Sequence, residues 1–309
     1  MAKKQTTGTK VKHGSVWFDV IVYIVLIALM VCYIYPLVFV IFASFSDPKA
    51  VSAGEMILFP IDPRSDGYRY LLQYSEIWLG YANTIFYTFV GTVLSLIATM
   101  PCAFALSRKD LKGKGFIMIL FMIPMYFGGG MIPGYLNVKQ LGLLDTRTII
   151  LINGLVSTYN IIVSRTYFTT SIPYELQEAA IVDGANDFKI FGSIIFPLSK
   201  PITVVMALYY GIGRWNSYFT EMIYLKDRSK FPLQLFLREI LTKSSFAKTA
   251  IMEGKVMSAA EMQALMKQAE TADMIKYCII IVSTVPMLCI YPFLQKYFEK
   301  GIMIGSVKG

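Results

Sequence analysis

Charge is scarce in this sequence. Only 16% of its 309 residues are Asp, Glu, Lys or Arg, against about 25% in an ordinary soluble domain. The one histidine, His13, sits in a basic N-terminal tail and reads as a solvated residue. Its four cysteines (Cys32, Cys102, Cys278 and Cys289) all fall in apolar runs at spacings that make no metal site. Free cysteine in such runs behaves as a small apolar residue, which argues against a disulfide or redox role. No G-x-x-x-x-G-K-[ST] stretch occurs, so there is no Walker A cradle for nucleotide phosphates, and no nucleophile–base set stands out. These absences point away from an enzyme and predict no catalytic residue, no metal ligand and no cofactor.

What the sequence has in abundance is apolar length. Mean hydropathy is +0.55, and the apolar residues gather into six runs, 16–45, 81–106, 116–136, 148–164, 202–225 and 274–294. Most match the roughly 17–25 residues a helix needs to cross a bilayer. Buried core helices of a soluble protein are rarely this long or this uniformly apolar. The expected fold class is therefore all-α, a polytopic membrane protein of six transmembrane helices. The first run follows Lys3, Lys4, Lys10 and Lys12 and superficially resembles a secretory leader. It is too long for a leader's apolar region, and no small-residue cleavage site follows, so it reads as a retained first span.

The net charge of +9 does not point to nucleic acid, because of how it is distributed. With six spans both ends lie on one side. That side holds fourteen basic residues: Lys3, Lys4, Lys10, Lys12, Arg108, Lys109, Lys112, Lys114, Arg165, Lys189, Lys200, Lys296, Lys300 and Lys308. The two shorter loops opposite hold Lys49, Arg64, Arg69, Lys139 and Arg147. Basic residues accumulate in the cytoplasm, so both termini are expected there, with a tail 1–15, a membrane domain 16–298 and a tail 299–309. The long outer loop, 221–273, pulls the other way with eight Lys or Arg, but it also carries seven acids.

Several local features qualify this plan. Turn residues in FPIDPRSDGY mark the first outer loop, 46–80, and SRKDLKGKG makes a basic hairpin after the second run. The third run is interrupted by Pro124, Gly128, Gly129, Gly130, Pro133 and Gly134. Irregular backbone at membrane depth must face protein or a water-filled cavity, although glycines also permit close helix packing. The fifth run contains Arg214 among Tyr209, Tyr210, Trp215, Asn216 and Tyr218. An arginine in a span is a functional candidate by default. If Pro197 opens that helix, however, Arg214 lies about 25 Å along it at 1.5 Å per residue, near the far interface, where it could snorkel. Within the outer loop, 226–273, Ser258 and Glu261 form a capping-box pattern, with Met262, Leu265, Met266 and Ala269 on one face of the helix that follows.

The most polar internal stretch, ELQEAAIVDGANDFKIFGSIIFPLSKP at 175–201, lies between two apolar runs. Ser171 is placed to cap a helix starting near Ile172, with Pro173 tolerated in its first turn. Ala179 and Ala180 leave that helix a smooth patch, and Gly184 supplies a break. A second helix is expected from about Asn186 to Phe196, apolar at Phe188, Phe191, Ile194 and Ile195, with Pro197 and Pro201 starting the next span. Two short helices meeting at a glycine make a knob suited to a groove on another protein.

The spacing Glu178-Ala179-Ala180, three residues, Gly184, nine residues, Ile194, two residues, Pro197 resembles the EAA loop of permease subunits of binding-protein-dependent ABC importers. Phe196 stands where that family usually has leucine and keeps an apolar anchor. NTIFYT at 83–88, YLNVKQLGLLDT at 135–146, RWNSYF at 214–219 and YPFLQKYFEKGIMIGSVKG at 291–309 are similar to carbohydrate-uptake permeases of the maltose-transporter second-subunit kind, above all the oligosaccharide permeases of Firmicutes. The resemblance implies the type I ABC importer permease fold, with the EAA loop over 172–197. It also implies ATPase coupling through Glu178, Ala179, Ala180, Asp183, Gly184, Phe188, Phe191 and Pro197. A C-terminal ATPase contact through Gly301, Gly305, Lys308 and Gly309 follows from it as well, although a frayed end is the ordinary reading of a terminus. Implied partners are a second permease, an ATPase dimer, an extracellular solute-binding protein, a sugar or oligosaccharide, and bacterial plasma-membrane lipid. Tyr209, Tyr210, Arg214, Trp215, Asn216 and Tyr218 are the candidate pathway residues, although aromatics also populate membrane interfaces. A stand-alone secondary transporter or channel is the competing class. It would favour ion pairs within spans and an internal repeat, and no repeat is visible.

Overall fold

The computed structural model describes residues 16–252 and 259–306, and among these every regular element is helical. Helix α1 is Val16–Ala43, and two short helices follow in the first loop, α2 (Pro48–Ser52) and α3 (Asp66–Gln73). The central helix α4 is Ser75–Ser107, followed by α5 (Lys114–Tyr126), α6 (Met131–Gln140), α7 (Arg147–Ile152) and α8 (Thr158–Ser171). The polar stretch forms α9 (Glu175–Val182) and α10 (Asp187–Leu198). The chain then continues as α11 (Lys200–Trp215), α12 (Phe219–Tyr224), α13 (Leu233–Met252) and α14 (Ala259–Ser306).

Among the described residues three helices are long and apolar enough to cross a membrane unaided: α1, α4 and the part of α14 over Ala260–Ile290. Two pairs pass only together and are sharply bent, α5 with α6 by 112° and α10 with α11 by 83°. The fourth expected run divides into α7 and α8, with Gly154 at φ +68° in the gap. The break in the third run falls at the glycines, where Gly130 takes φ +85°. Among the described residues nothing lies within 4 Å of where a Cβ would stand at Gly128 or Gly129. Close packing against the described part of the chain is therefore not what those two glycines serve.

Helix α4 organises the rest because its inner stripe is small. Gly80, Thr84, Gly91, Ser95, Thr99 and Ala103 recur four to seven residues apart, and small residues let neighbouring backbones approach without a side chain between them. Helices α8, α11 and α13 pack on this stripe. A Cβ added at Gly80 would stand 2.8 Å from the Phe236 ring of α13, and Thr84 Oγ1 accepts from the Leu233 backbone N–H at 2.8 Å. Two apolar cores result, one at each end of α4. The first gathers Tyr87, Ile149, Leu233, Phe236 and Ile279. The second gathers Met100, Phe104, Ile161, Phe168, Ile190, Ile195 and Met206, beside α9 and α10. By contrast α1 presents side chains outward along 16–37, touching the remainder chiefly through α14.

The expected outer loop is largely helical and fastened down. Arg228 pairs with Glu76 at 2.9 Å and with Glu239 at 3.1 Å, and those two carboxylates raise its pKa above the ordinary arginine value. Asn83 Nδ2 donates to the carbonyls of Ser229 and Phe231. Ser258 lies outside the described residues. Of the expected apolar face, Ala269 is buried and Met262 and Leu265 are half-buried, while Met266 is exposed.

Candidate functional site: an apolar-tipped knob and a polar cavity

The knob is built by α9 and α10 around Gly184, whose φ of +74° ends the first helix. Its detail corrects several expectations. Ser171 caps nothing; it is the last residue of α8, and Tyr174 precedes α9. Helix α10 is capped by Asn186, whose side chain accepts from the Lys189 N–H at 2.9 Å. Over Ile190–Ile195 it widens into a π-helical turn, which brings residues five apart towards one face, and both Ile190 and Ile195 are fully buried. Pro197 belongs to the end of α10 and is exposed; the next helix opens after Ser199, with Pro201 in its first turn.

The expected coupling residues divide by burial. Glu178, Ala179, Asp183, Gly184 and Phe188 are exposed. Ala180, at 5% exposure, is packed in the knob-end core. A bulky residue there would disturb the fold itself, so Ala180 supports the knob from beneath. Phe191 also turns inward, its ring 5.4 Å from Phe104 and 5.8 Å from Phe196, and is not a free anchor. The outward apolar tip is instead Phe188 at 89% exposure and Val182 at 86%, with Ile181 beside them. Reading the sequence missed Val182, which follows the EAA residues just ahead of Asp183-Gly184.

Arg108 holds the knob to the bundle. It ends α4, is nearly buried, and donates from Nη1 to Asp187 at 2.8 Å and from Nε and Nη2 to Asp110 at 2.8 and 2.6 Å. Its hydrogen bonds hold the Asp110 carboxyl below the usual carboxylate range. Folding therefore gains from the charged carboxylate at neutral pH, and this gain is lost only as pH falls through that depressed value. Lys109 lies over the Tyr174 ring at 4.2 Å, and Arg165 Nε donates to the Leu106 carbonyl at 3.0 Å. Arg108→Gln is expected to leave α4 intact but loosen the knob by about 1.5–3 kcal/mol, the range for hydrogen bonds to charged groups. Protease cleavage near 183–187 would then run faster in the variant than in the parent; equal rates would refute the fastening.

Between α7, α8, α11 and α12 lies a cavity of about 380 Å³, lined by Tyr87, Asn153, Ser157, Tyr209, Arg214, Glu221 and neighbours. Arg214 does not snorkel. Its guanidinium turns inward, Nη1 donating to the Ile150 carbonyl at 3.0 Å and Nη2 to the Leu151 carbonyl at 3.0 Å and Ser95 Oγ at 3.2 Å. These carbonyls end α7, where a helix leaves its last C=O groups without internal partners. The group lies flat on Gly91, where an added Cβ would stand 2.6 Å from Nε, Cζ and Nη1.

The other expected pathway residues separate. Tyr209 is exposed to the cavity and 6.5 Å ring to ring from Tyr159. Tyr210 is buried, bridging Thr99 Oγ1 at 2.7 Å and the Ser157 N–H at 3.1 Å. Trp215 is buried, with Nε1 donating to the Ser283 carbonyl at 2.9 Å, so its role is to pack α11 on α14. The Asn216 side chain donates back to Ile212 of its own helix. Tyr218 lies under Arg238, 4.9 Å from Cζ to the ring centre, outside the cavity lining. Glu221, missed from sequence, is buried in the cavity wall at 4% exposure and accepts from Ser217 Oγ at 2.8 Å. Of the C-terminal candidates, Gly301 and Gly305 fall in the last turns of α14, and Lys308 and Gly309 lie outside the described residues.

Helical throughout its described residues, with membrane-length apolar helices, a knob at one end and a polar cavity beside its central helix, the chain has the build of a polytopic membrane protein. Comparison with known proteins makes it particular. The model of the binding-protein-dependent transport system inner membrane component matches residues 77–226. The chain is 37% identical over 292 residues to the polygalacturonan/rhamnogalacturonan transport system permease protein YtcP of Bacillus subtilis (strain 168), covering 94% of this chain and 98% of that one. It is 36% identical over 276 residues to protein LplC of the same organism, covering 89% and 90%. Among solved structures it is similar, at TM-score 0.78 and 35% identity over 91% of this chain and 96% of the other, to a bacterial ABC transporter involved in the import of the acidic polysaccharide alginate. The chain belongs to the family of binding-protein-dependent transport system inner membrane components, the permeases of ABC importers.

Proposed function

We propose that the chain is one permease subunit of an ATP-driven importer of a sugar or oligosaccharide in the bacterial plasma membrane. It crosses the membrane six times with both termini cytoplasmic, pairs with a second permease, receives cargo from an extracellular binding protein, and leaves ATP hydrolysis to a separate ATPase dimer. The observation that carries this reading is the knob. Phe188 and Val182, 89% and 86% exposed, stand on the polar stretch that resembles the EAA loop, and apolar side chains so placed call for a protein groove. Nucleotide-driven closure of the ATPase dimer would pull on that tip, and α10 would pass the motion through its 83° bend into α11, which lines the cavity. Relatives named for saccharide transport support the cargo class.

The test is to purify the tagged chain gently from its native membrane and reconstitute what accompanies it. A second permease, an ATPase and uptake that requires ATP are expected. A chain that arrives alone and moves solute without ATP would overturn the reading in favour of a stand-alone transporter.

A further inference from the structure

A groove between α4, α11 and α14 shares no lining residue with the Arg214 cavity. It has two halves, joined through Leu208, Ile212, Trp215, Met287 and Ile290. The larger half, about 510 Å³, runs along α4 from Ile85 to Leu96 and is apolar. Its two hydroxyl side chains, Thr88 and Thr92, keep their oxygens sealed from the surface and so turn their methyl groups to the groove. Gly211 deepens it. A Cβ added there would meet only Thr92 Oγ1, at 3.8 Å, so among the described residues no close packing demands the glycine. The rim is open, with Ile85, Phe89 and Ile290 exposed. The smaller half, about 290 Å³, carries the polar groups, among them Asn216, Gln234 and Thr284, and no charged side chain among the described residues lines it. Gln234 is half-buried, and its side-chain amide has no partner among the described residues. This half lies towards the start of α4, because the Leu233 N–H is held by Thr84 and Trp215 packs on Tyr81. The groove is therefore polar at its end away from the knob and apolar from there inward.

Length decides what fits. Ile85 and Leu96 are eleven residues apart, about 16 Å of helix at 1.5 Å per residue and about half of the roughly 30 Å hydrocarbon core. A transmembrane helix of another subunit would need an apolar seam across the whole core. An acyl chain of one leaflet has the observed length, and the ester groups at its head need the polar end. We propose that this groove holds one acyl chain of a glycerolipid from the leaflet opposite the knob, with Gln234 donating from Nε2 to an ester carbonyl. So seated, the chain fills the space between α11 and α14 and braces the helix that joins the knob to the Arg214 cavity. The site requires only that α4, α11 and α14 lie in a membrane, and makes no use of cargo or ATPase.

The chain is purified in mild detergent with the subunits that accompany it, and native mass spectrometry counts the phospholipids retained. The parent is expected to retain one phospholipid more per copy of this chain than Gly211→Phe, whose ring fills the apolar half. If Gly211→Phe fails to assemble, Leu208→Trp blocks the junction of the two halves instead. When phosphatidylethanolamine is titrated back after delipidation, Gln234→Leu should bind that lipid about fivefold more weakly, equivalent to about 1 kcal/mol. Ile97→Trp, exposed on α4 outside the groove, should match the parent and separates the site from general lipid contact. Phe89→benzoylphenylalanine, irradiated in the intact membrane, labels whatever occupies the groove, and a phospholipid adduct is expected. An adduct with a second protein, equal lipid counts in the parent and the groove-filling variants, or an equal loss in Ile97→Trp would each overturn the site. None of these results bears on whether uptake needs ATP, so the importer reading stands or falls separately.

Discussion

A chain carrying aspartate in place of Phe188 is expected to reach the membrane at parental abundance and to lose ATP-driven uptake by a factor of about 30 or more. The two halves of that expectation come from one number. Phe188 is 89% exposed, so it contributes almost nothing to the chain's own core, and surface changes away from special features stay within about 0.5 kcal/mol. In a docked complex the same ring would be buried. Burying a phenylalanine is worth about 1.5–3 kcal/mol, and putting a charge in its groove adds a desolvation cost. A loss of about 2 kcal/mol at the joint already weakens docking about 30-fold. Phe191→Asp is the matched contrast. That ring lies against Phe104 and Phe196 inside the knob-end core, so its replacement should lower abundance. Stimulated ATPase activity and uptake, each normalised to membrane protein, separate the cases. Undiminished uptake in Phe188→Asp would remove the exposed tip as the coupling surface, whatever Phe191→Asp did.

The contrast between those two phenylalanines also shows what could be read in advance and what could not. Both sit in the same apolar pattern of one short helix, and a regular helix gives no reason to turn one in and the other out. The π-helical turn over Ile190–Ile195 shifts the buried face part-way along α10, and hydrophobic periodicity does not record such a local change of winding. Ala180 was obscured for a different reason. A small residue in a helix suits a docking patch and a tight internal contact equally well. Only its burial in the knob-end core, which also holds Ile172 and Ile190, decides for the latter.

The long apolar runs, by contrast, were legible because hydrophobic length is a property of consecutive residues. The break at Gly128–Gly130 was legible because punctuation of that kind is local. The break between α7 and α8 was less so. Gly154 marks it, but the group that stabilises it, Arg214, comes from 60 residues later in the sequence. Glu221 shows the same limit: its carboxylate became a candidate only once α7, α8, α11 and α12 were seen to enclose a cavity.

Arg214→Met should be the most damaging single change to stability, at about 3 kcal/mol or more. Its guanidinium joins three elements at once, α11 that carries it, α4 through Ser95, and the carbonyl end of α7. Hydrogen bonds to charged groups are worth about 1.5–3 kcal/mol, and stranding their buried partners costs further. Lysine should not rescue, because a single ammonium cannot reproduce the flat fork that reaches two carbonyls and a hydroxyl. Gly91→Ala should do its harm by the same route, since the new Cβ would stand 2.6 Å from Cζ and the pinned side chain would have to leave its carbonyls. The double variant is then decisive. If Gly91 is small in order to seat Arg214, the two changes remove one interaction, and together they should cost little more than Arg214→Met alone, a coupling of about 0.5–3 kcal/mol being usual for groups in contact. Thermal unfolding of the assembled importer in detergent reads all four corners of that cycle. Strictly additive losses would mean that Gly91 and Arg214 act separately, and that α7 is held at its broken end by something other than this arginine.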